Sequence, residues 1–320
     1  MLAATYRSTG ASDVLTVEEV ATPEPGPGEV RVRLRVAGVN PTDWKIRSGT
    51  APTADFQIPG QDGAGEVDAV GPGVDTGRLG ERVWVWFAAA RGRQWGSAAQ
   101  WTVVPERQAV RLPDEVSFDA GAGLGVPAVT AWHCLFADGP LSGRSVLVAG
   151  GAGAVGNAAV ALARRAGAQV VATTSTPAKA ELARAAGAHA VVDYRAADAA
   201  GQVRAAAPEG IDRIVEVALG ANLALDLAVV APRAVVSTYA DDELHTSVRP
   251  LMVANLTLQF VLLYGLADAA LDAAVAGVSS AVAAGDLPGL PTTRFPLAEI
   301  AAAHDAVQAN TPGKVLVDLP

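Results

Sequence analysis

Between Glu29 and Val36 the chain alternates without a break: Val30, Val32, Leu34 and Val36 fall between Glu29, Arg31, Arg33 and Arg35. A period of two places the four apolar side chains on one face and leaves the other wet, as in a strand of a half-exposed sheet. Short β-type runs of the same kind, GEVRVRLRVAGV, GAGEVDAVG, ERVWVWF and AAQWTVVP, recur from Leu15 to about Val110 between Gly and Pro, and predict an antiparallel, barrel-like domain. Past Leu112 and Pro113 the pattern changes. Phe118 to Phe136 reads as a helix-rich connector, after which strand and helix patterns alternate, the signature of an α/β layer. Strands are predicted at Ser145 to Ala149, Gln169 to Thr173, Ala190 to Asp193, Arg213 to Val217, Ala234 to Thr238 and Leu256 to Leu263. Helices are expected at Asp268 to Ala284 and Ala298 to Gln308, with a last strand at Lys314 to Leu319 that returns to the first domain.

At 320 residues the chain exceeds what one core usually supports, so two domains are expected, with room for a cleft. Half of its residues are apolar and 18% charged, which fits a packed globule. A net charge of −9 supplies no basic footprint, so neither nucleic acid nor an anionic membrane is an expected partner. The single cysteine, Cys134, cannot form an internal disulfide, and Met1 opens no signal-peptide pattern; a cytoplasmic location is expected. The most apolar stretch, Asn255 to Leu266, is about half of the roughly 20 residues that span a bilayer, and it reads as a buried strand.

The segment SVLVAGGAGAVGNAAVALARRAGAQVVATT carries the strongest chemical signal: apolar strand, glycine turn, alanine-rich helix, second strand. Gly151, Gly153 and Gly156 fit GxGxxG, in which glycines permit a tight turn, approach of the backbone to a pyrophosphate and close helix packing, with the pyrophosphate at the positive helix end. About 20 residues on, where an NAD site usually places a carboxylate on the ribose 2′-hydroxyl, stand Thr173, Thr174 and Ser175, with Lys179 four residues past the last of them. Hydroxyls leave room for a 2′-phosphate and a lysine offers it a point charge, so NADPH is the expected cofactor.

GVNPTDWKIRSG, PGQDGAGEVDAVG, GVPAVTAW, the GGAGAVG turn, AGAHAVVDYR, GIDRIVEV, FPLAEIAAAHDAV and GKVLVDL occur in that order over nearly the whole chain. In these motifs the sequence resembles the zinc-free medium-chain dehydrogenase/reductases, in their quinone oxidoreductase, zeta-crystallin-like branch. The resemblance implies a GroES-like β-barrel catalytic domain from both chain ends (1–122 and 265–320), a Rossmann NADPH-binding domain between (123–264), and a homodimer joined through the last Rossmann strand, which the run LTLQFVLLY suits. It implies diphosphate contacts at Ala152, Gly153, Ala154 and Val155, and an adenosine phosphate surrounded by Thr174, Ser175, Lys179 and Tyr194. Near the nicotinamide it implies Asn222, Thr238, Tyr239, Phe260 and Val261; these matches need a one-residue gap around Arg233 and put Tyr239 where glycine is usual.

The zinc alcohol dehydrogenases of the same superfamily hold catalytic metal through Cys, His and Cys. Here those places carry Asn40, Gln61 and, near the third, Leu124, poor zinc ligands beside thiolate and imidazole. A four-cysteine structural site is impossible, and His133, His189, His245 and His304 lack metal spacing; no metal is expected. Without one, hydride transfer to an activated acceptor needs mainly close approach in a dry site, plus a donor or two for developing negative charge. Asn40 is the first candidate donor and Lys45 the second; Lys45 stands where zeta-crystallin-like members often have tyrosine, which raises an enone or enal acceptor beside a quinone. Thr130 is a candidate for the nicotinamide carboxamide, or a helix-capping residue, and Asp43 for orienting the loop. Trp84, Trp86 and Trp101 are expected to fill core, and Trp95, flanked by Gly92 and Gly96, is a candidate lid. The function so implied is NADPH-dependent, zinc-independent reduction of a quinone; the alternatives are NADPH-dependent reduction of an enone or enal C=C bond, and, in another class, an NADPH-binding protein with little turnover.

Overall fold

A computed structural model describes residues 1–320. Its elements run in chain order as β1 (Leu2–Thr5), β2 (Thr16–Glu19), β3 (Glu29–Val39), α1 (Pro41–Gly49), β4 (Asp62–Val70), β5 (Arg82–Val85), β6 (Trp101–Pro105), β7 (Ala109–Arg111), α2 (Phe118–Ala122) and α3 (Gly125–Phe136). There follow β8 (Ser145–Val148), α4 (Ala154–Arg165), β9 (Gln169–Thr174), α5 (Pro177–Ala185), β10 (Ala190–Asp193), α6 (Ala199–Ala206), β11 (Ile211–Glu216), α7 (Leu219–Val229) and β12 (Val230–Thr238). The chain closes with α8 (Val248–Ala254), β13 (Thr257–Phe260), α9 (Asp268–Ala283), β14 (Thr292–Pro296), α10 (Ile300–Gln308) and β15 (Lys314–Asp318).

Two compact units form, Met1–Val126 with Pro291–Pro320, and Pro127–Leu290. The C-terminal return expected at 265 therefore comes at 291. The reason lies in α9: Ala281 joins the core around α3 and α4, and a Cβ on Gly277 would sit 1.9 Å from the Trp132 indole nitrogen, so this helix packs with the parallel sheet.

In the first unit a seven-stranded sheet runs β14-β15-β3-β4-β5-β7, with β6 also on β3, and β1 pairs β2 separately. All its pairs are antiparallel except β14 with β15. The alternation read in β3 is realised: Val30, Val32, Leu34 and Val36 are buried, and the first three share a core with Val67, Val83, Val85 and Val104. Arg33 and Arg35 stay exposed. Trp84 and Trp86 are fully buried. Trp95, the candidate lid, is instead packed edge-on against Phe56 at 5.8 Å beside the core of β1 and β15.

In the second unit six parallel strands take the order β10-β9-β8-β11-β12-β13. Successive residues of β8 point to opposite faces: Val146 and Val148 meet α3, α4 and α5, whereas Leu147 meets the core of α6 and α7. The order reverses direction between β8 and β11, and in such sheets ligands bind at the carboxyl ends of the strands at that switch point. The expected buried strand at Leu256 to Leu263 is shorter, Thr257–Phe260, and is the sheet's edge, with Phe260 68% and Leu262 70% exposed. Apolarity read as burial here is apolarity of an open edge. No helix is long and apolar enough to cross a membrane.

Candidate active site

The glycine turn joins β8 to α4. Gly150 takes φ 68°, the left-handed region where a side chain is strained, so the tight turn is made by Gly150, one residue before the motif's first glycine. A Cβ on Gly156 would meet the Gly150 carbonyl at 2.3 Å, which is why the helix can approach the strand so closely. Gly153 differs: it is exposed, and a Cβ there would meet only the Gly150 oxygen at 3.4 Å. It is also the N-cap of α4 and supplies no capping side chain, so the first-turn amides of Ala154 and Val155 stay open to an anion. Ala152 is buried under this turn. The cradle fits a dinucleotide diphosphate.

Parallel pairing brings the next group together. Asp193, the last residue of β10, lies level with Thr174, the last of β9, and the Tyr194 amide donates to the Thr174 carbonyl at 3.3 Å. Thr174 is buried, Ser175 half-buried and Tyr194 45% exposed. Thr176 caps α5 by accepting from the Lys179 amide at 3.2 Å, which places Lys179 in the first turn of that helix. The four residues expected around an adenosine phosphate thus gather at one lip, where the end of β9 carries no carboxylate. Arg195, passed over in the sequence, joins them; its side chain donates to the Ser175 carbonyl and to Asp193.

Past the switch point, Thr238 ends β12 level with Glu216, the Tyr239 amide donates to the Glu216 carbonyl at 3.4 Å, and the Val261 amide to the Thr238 carbonyl at 2.8 Å. Asn222 bonds the same glutamate, its Nδ2 donating to Glu216 Oε1 at 2.9 Å, and Oε1 also accepts from the Val217 amide at 2.7 Å. Asn222, Thr238, Tyr239 and Val261 are therefore neighbours, and Glu216, which sequence reasoning missed, pins the turn that carries Asn222. Phe260 projects from the edge strand. Glu216 Oε2, both Asp226 oxygens and Thr238 Oγ1 are buried without a partner. Burial raises the Glu216 carboxyl and pushes Asp226 up to about 8, helped by the charge of Glu216. Thr130 lies buried in α3, as does Cys134, whose thiol is pushed up to about 12 by burial and is inert at neutral pH.

The first unit holds a buried ionic cluster. Asn40 caps α1, its backbone amide donating to Asp43 Oδ2 at 2.7 Å in a capping box. The Asn40 side chain donates from Nδ2 to Asp62 Oδ2 at 2.8 Å and accepts at Oδ1 from Lys314 Nζ at 2.7 Å. Lys314 also donates to the Val39 carbonyl, and the Val126 amide donates to Asp62. Burial lifts Asp62 to about 6 and, with the charge of Asp62 added, Asp43 to about 7; burial lowers Lys314 against both carboxylates. The expectation of a substrate donor at Asn40 meets an amide 2% exposed with both ends engaged. Asp43 does bond the loop backbone. Lys45 stands apart, exposed on α1 with its ammonium 5.9 Å from the Trp44 ring. Asp62 and Lys314 were not singled out in the sequence; the offset of Asp62 by one from Gln61 was the available signal. No group of three or more His, Cys, Asp or Glu is placed to hold a metal ion.

Two family models match the chain, the alcohol dehydrogenase GroES-like domain over residues 26–114 and the zinc-binding dehydrogenase model over 154–279. A quinone oxidoreductase of Rattus norvegicus is 32% identical over 228 residues, covering 69% of this chain and 68% of the relative. A solved structure described as an NAD-dependent alcohol dehydrogenase superposes with a TM-score of 0.90 at 26% identity, covering all of both chains. A mycobacterial protein complexed with NADPH does so at 0.85 and 27%, covering 99% of each. With a GroES-like domain, a Rossmann-like parallel sheet, a dinucleotide cradle and these relatives, the chain belongs to the quinone oxidoreductase, zeta-crystallin-like family of medium-chain dehydrogenase/reductases, and is an oxidoreductase.

Proposed function

We propose that the protein is an NADPH-dependent, zinc-independent reductase of quinones. The observation that carries the coenzyme choice is the lip beyond β9: Thr174, Ser175, Tyr194 and the α5 turn of Lys179 converge where a carboxylate would mark an NAD site. The neighbour with bound NADPH supports it, and the neighbour described as NAD-dependent, whose TM-score of 0.90 exceeds the 0.85 of the NADPH complex, makes the choice a property of this lip and not of the fold.

The bound coenzyme supplies a hydride. The chain's part is to bind and orient: the α4 amides and open Gly153 hold the diphosphate, the lip holds the adenosine phosphate, and Glu216 fixes Asn222 beside Thr238 and Tyr239 at the nicotinamide end. Zinc independence rests on donor chemistry. The amide at Asn40 is already committed to Asp62 and Lys314, Gln61 is an amide too, and Leu124 offers no lone pair. Asn40 thus acts as scaffold, and Lys45, the exposed candidate, is the observation that favours the second reading, an enone or enal acceptor.

Direct titration is expected to give a lower Kd for NADPH than for NADH, and steady-state assays to show NADPH oxidation by a quinone panel. NADH bound as tightly overturns the coenzyme reading. Turnover on enones alone selects the second reading, and tight NADPH binding with neither panel reduced selects a binding protein.

The homodimer belongs to the same proposal. The β13 edge offers unpaired backbone groups, and Val248, Met252, Val253, Phe260 and Leu262, all exposed, give it an apolar flank of the kind a second copy covers. Light scattering is expected to give a particle twice the 32.4 kDa chain, and Met252→Asp with Val253→Asp to return it to one chain. A wild-type monomer at micromolar concentration removes this part.

A further inference from the structure

Asp193 is the carboxylate of the adenosine lip. It stands one strand over from the position where an NAD site keeps its acid, level with Thr174, and it is half-exposed. Left to itself, it would face a 2′-phosphate with like charge. It is not left to itself. Its Oδ1 accepts from the Arg195 amide at 3.0 Å and from Nε at 3.1 Å, and its Oδ2 accepts from Nη2 at 3.0 Å, the paired geometry in which a guanidinium holds a carboxylate. Nη2 also donates to the Ser175 carbonyl, so the guanidinium bridges the end of β10 to the turn between β9 and α5. These bonds engage Nε and Nη2, and the second terminal nitrogen, Nη1, remains for a ligand, on a side chain 57% exposed.

We propose that Arg195 determines coenzyme choice, presenting Nη1 to the 2′-phosphate and shielding that phosphate from Asp193. The inference deepens the NADPH reading and rests on it. Lys179 supplies a point charge from the first turn of α5, whereas Arg195 supplies a planar fork already fixed by two partners, so little side-chain freedom remains to be lost when phosphate arrives. The Arg195 bonds hold the Asp193 carboxyl below its ordinary range, but a solvent-exposed aspartate is ionised at neutral pH without them, so an unshielded Asp193 would be a full negative charge at the lip.

Calorimetric titration of the whole chain with adenosine 2′,5′-bisphosphate and with AMP tests this without turnover. The wild type is expected to prefer the bisphosphate. Arg195→Ala should weaken the bisphosphate by roughly ten- to a hundredfold, as for loss of one charge-assisted bond, with AMP unchanged within about twofold. Adding Asp193→Asn to it should recover part of the loss, and Arg195→Lys should fall between, because it keeps the charge and loses the fork. If Arg195→Ala weakens both ligands equally, Arg195 is a staple of the lip and the inference is overturned; it is also overturned if neither changes or if Asp193→Asn recovers nothing. Absence of a bisphosphate preference in the wild type would bring down the coenzyme reading itself, a result distinct from these. Should Arg195→Ala fold poorly, the pair Arg195→Lys and Arg195→Lys with Asp193→Asn gives the same comparison.

Discussion

Lys314→Met should cost about 3–5 kcal/mol of stability at pH 8, and much of that cost should vanish by pH 5. Lys314 is buried beside Asn40, with Asp62 and Asp43 as its counter-charges, so methionine keeps the stem and volume but leaves two carboxyls in a dry site with no cation. In the wild type these carboxyls already sit above their ordinary range, Asp62 at about 6 and Asp43 at about 7, because burial penalises their charged forms more than Lys314 relieves them. Removing the cation raises both further. A raised acid contributes its stability at low pH and loses it as pH climbs through the folded-state value, so the variant should be weakest at alkaline pH and approach the wild type as both groups take up protons. Thermal melts of the two proteins from pH 5 to 8 check this. A deficit of the same size at every pH would mean that Lys314 matters through its packed stem and not its charge.

This cluster marks where sequence reading runs out. Most strands of both units were legible because their signal is local, β1, β14 and the open edge at β13 being the exceptions: β3 shows its buried face in eight consecutive residues, and the dinucleotide turn shows its strand, glycines and helix in thirty. Lys314 and Asn40 are separated by 274 positions, and nothing in GKVLVDL distinguishes a lysine that ends on a buried amide from one that ends in water. Glu216 and Asp226 were invisible for the same reason, since a carboxylate's burial is decided by what folds over it, and Asp62 showed only its place beside Gln61. Two local signals were misweighed. The doubled glycine at Gly150 and Gly151 placed the left-handed turn one residue early, and the gap needed at Arg233 marks a residue with φ 67°, a conformation that usually selects glycine. The helix α8 was missed because Pro250 lies inside it and a polar run, DDELHTS, precedes it. Both features ordinarily signal a loop.

Asp226→Asn should stabilise the protein increasingly as pH rises from 5 to 9. Asp226 lies in α7 one turn beyond Asn222, 1% exposed, and neither of its oxygens finds a donor. Glu216 faces the same region with Oε2 unpartnered, so ionising Asp226 would bury a second negative charge beside the first. Burial therefore holds Asp226 protonated to about pH 8, against 3.8 as its ordinary value. By the sign rule for a raised acid, the neutral form's contribution is complete below pH 4 and drains away as pH approaches 8, by no more than roughly 6 kcal/mol. Asparagine carries no charge at any pH and cannot follow that curve. The wild type's melting temperature should thus fall relative to the variant's over this range, and a constant difference would show that Asp226 is ionised in the folded chain. Because Glu216 also holds the turn of Asn222, the same titration predicts that NADPH affinity of the wild type declines above pH 8 more steeply than that of Asp226→Asn. Parallel declines would confine the acid pair to stability and separate it from the cofactor site.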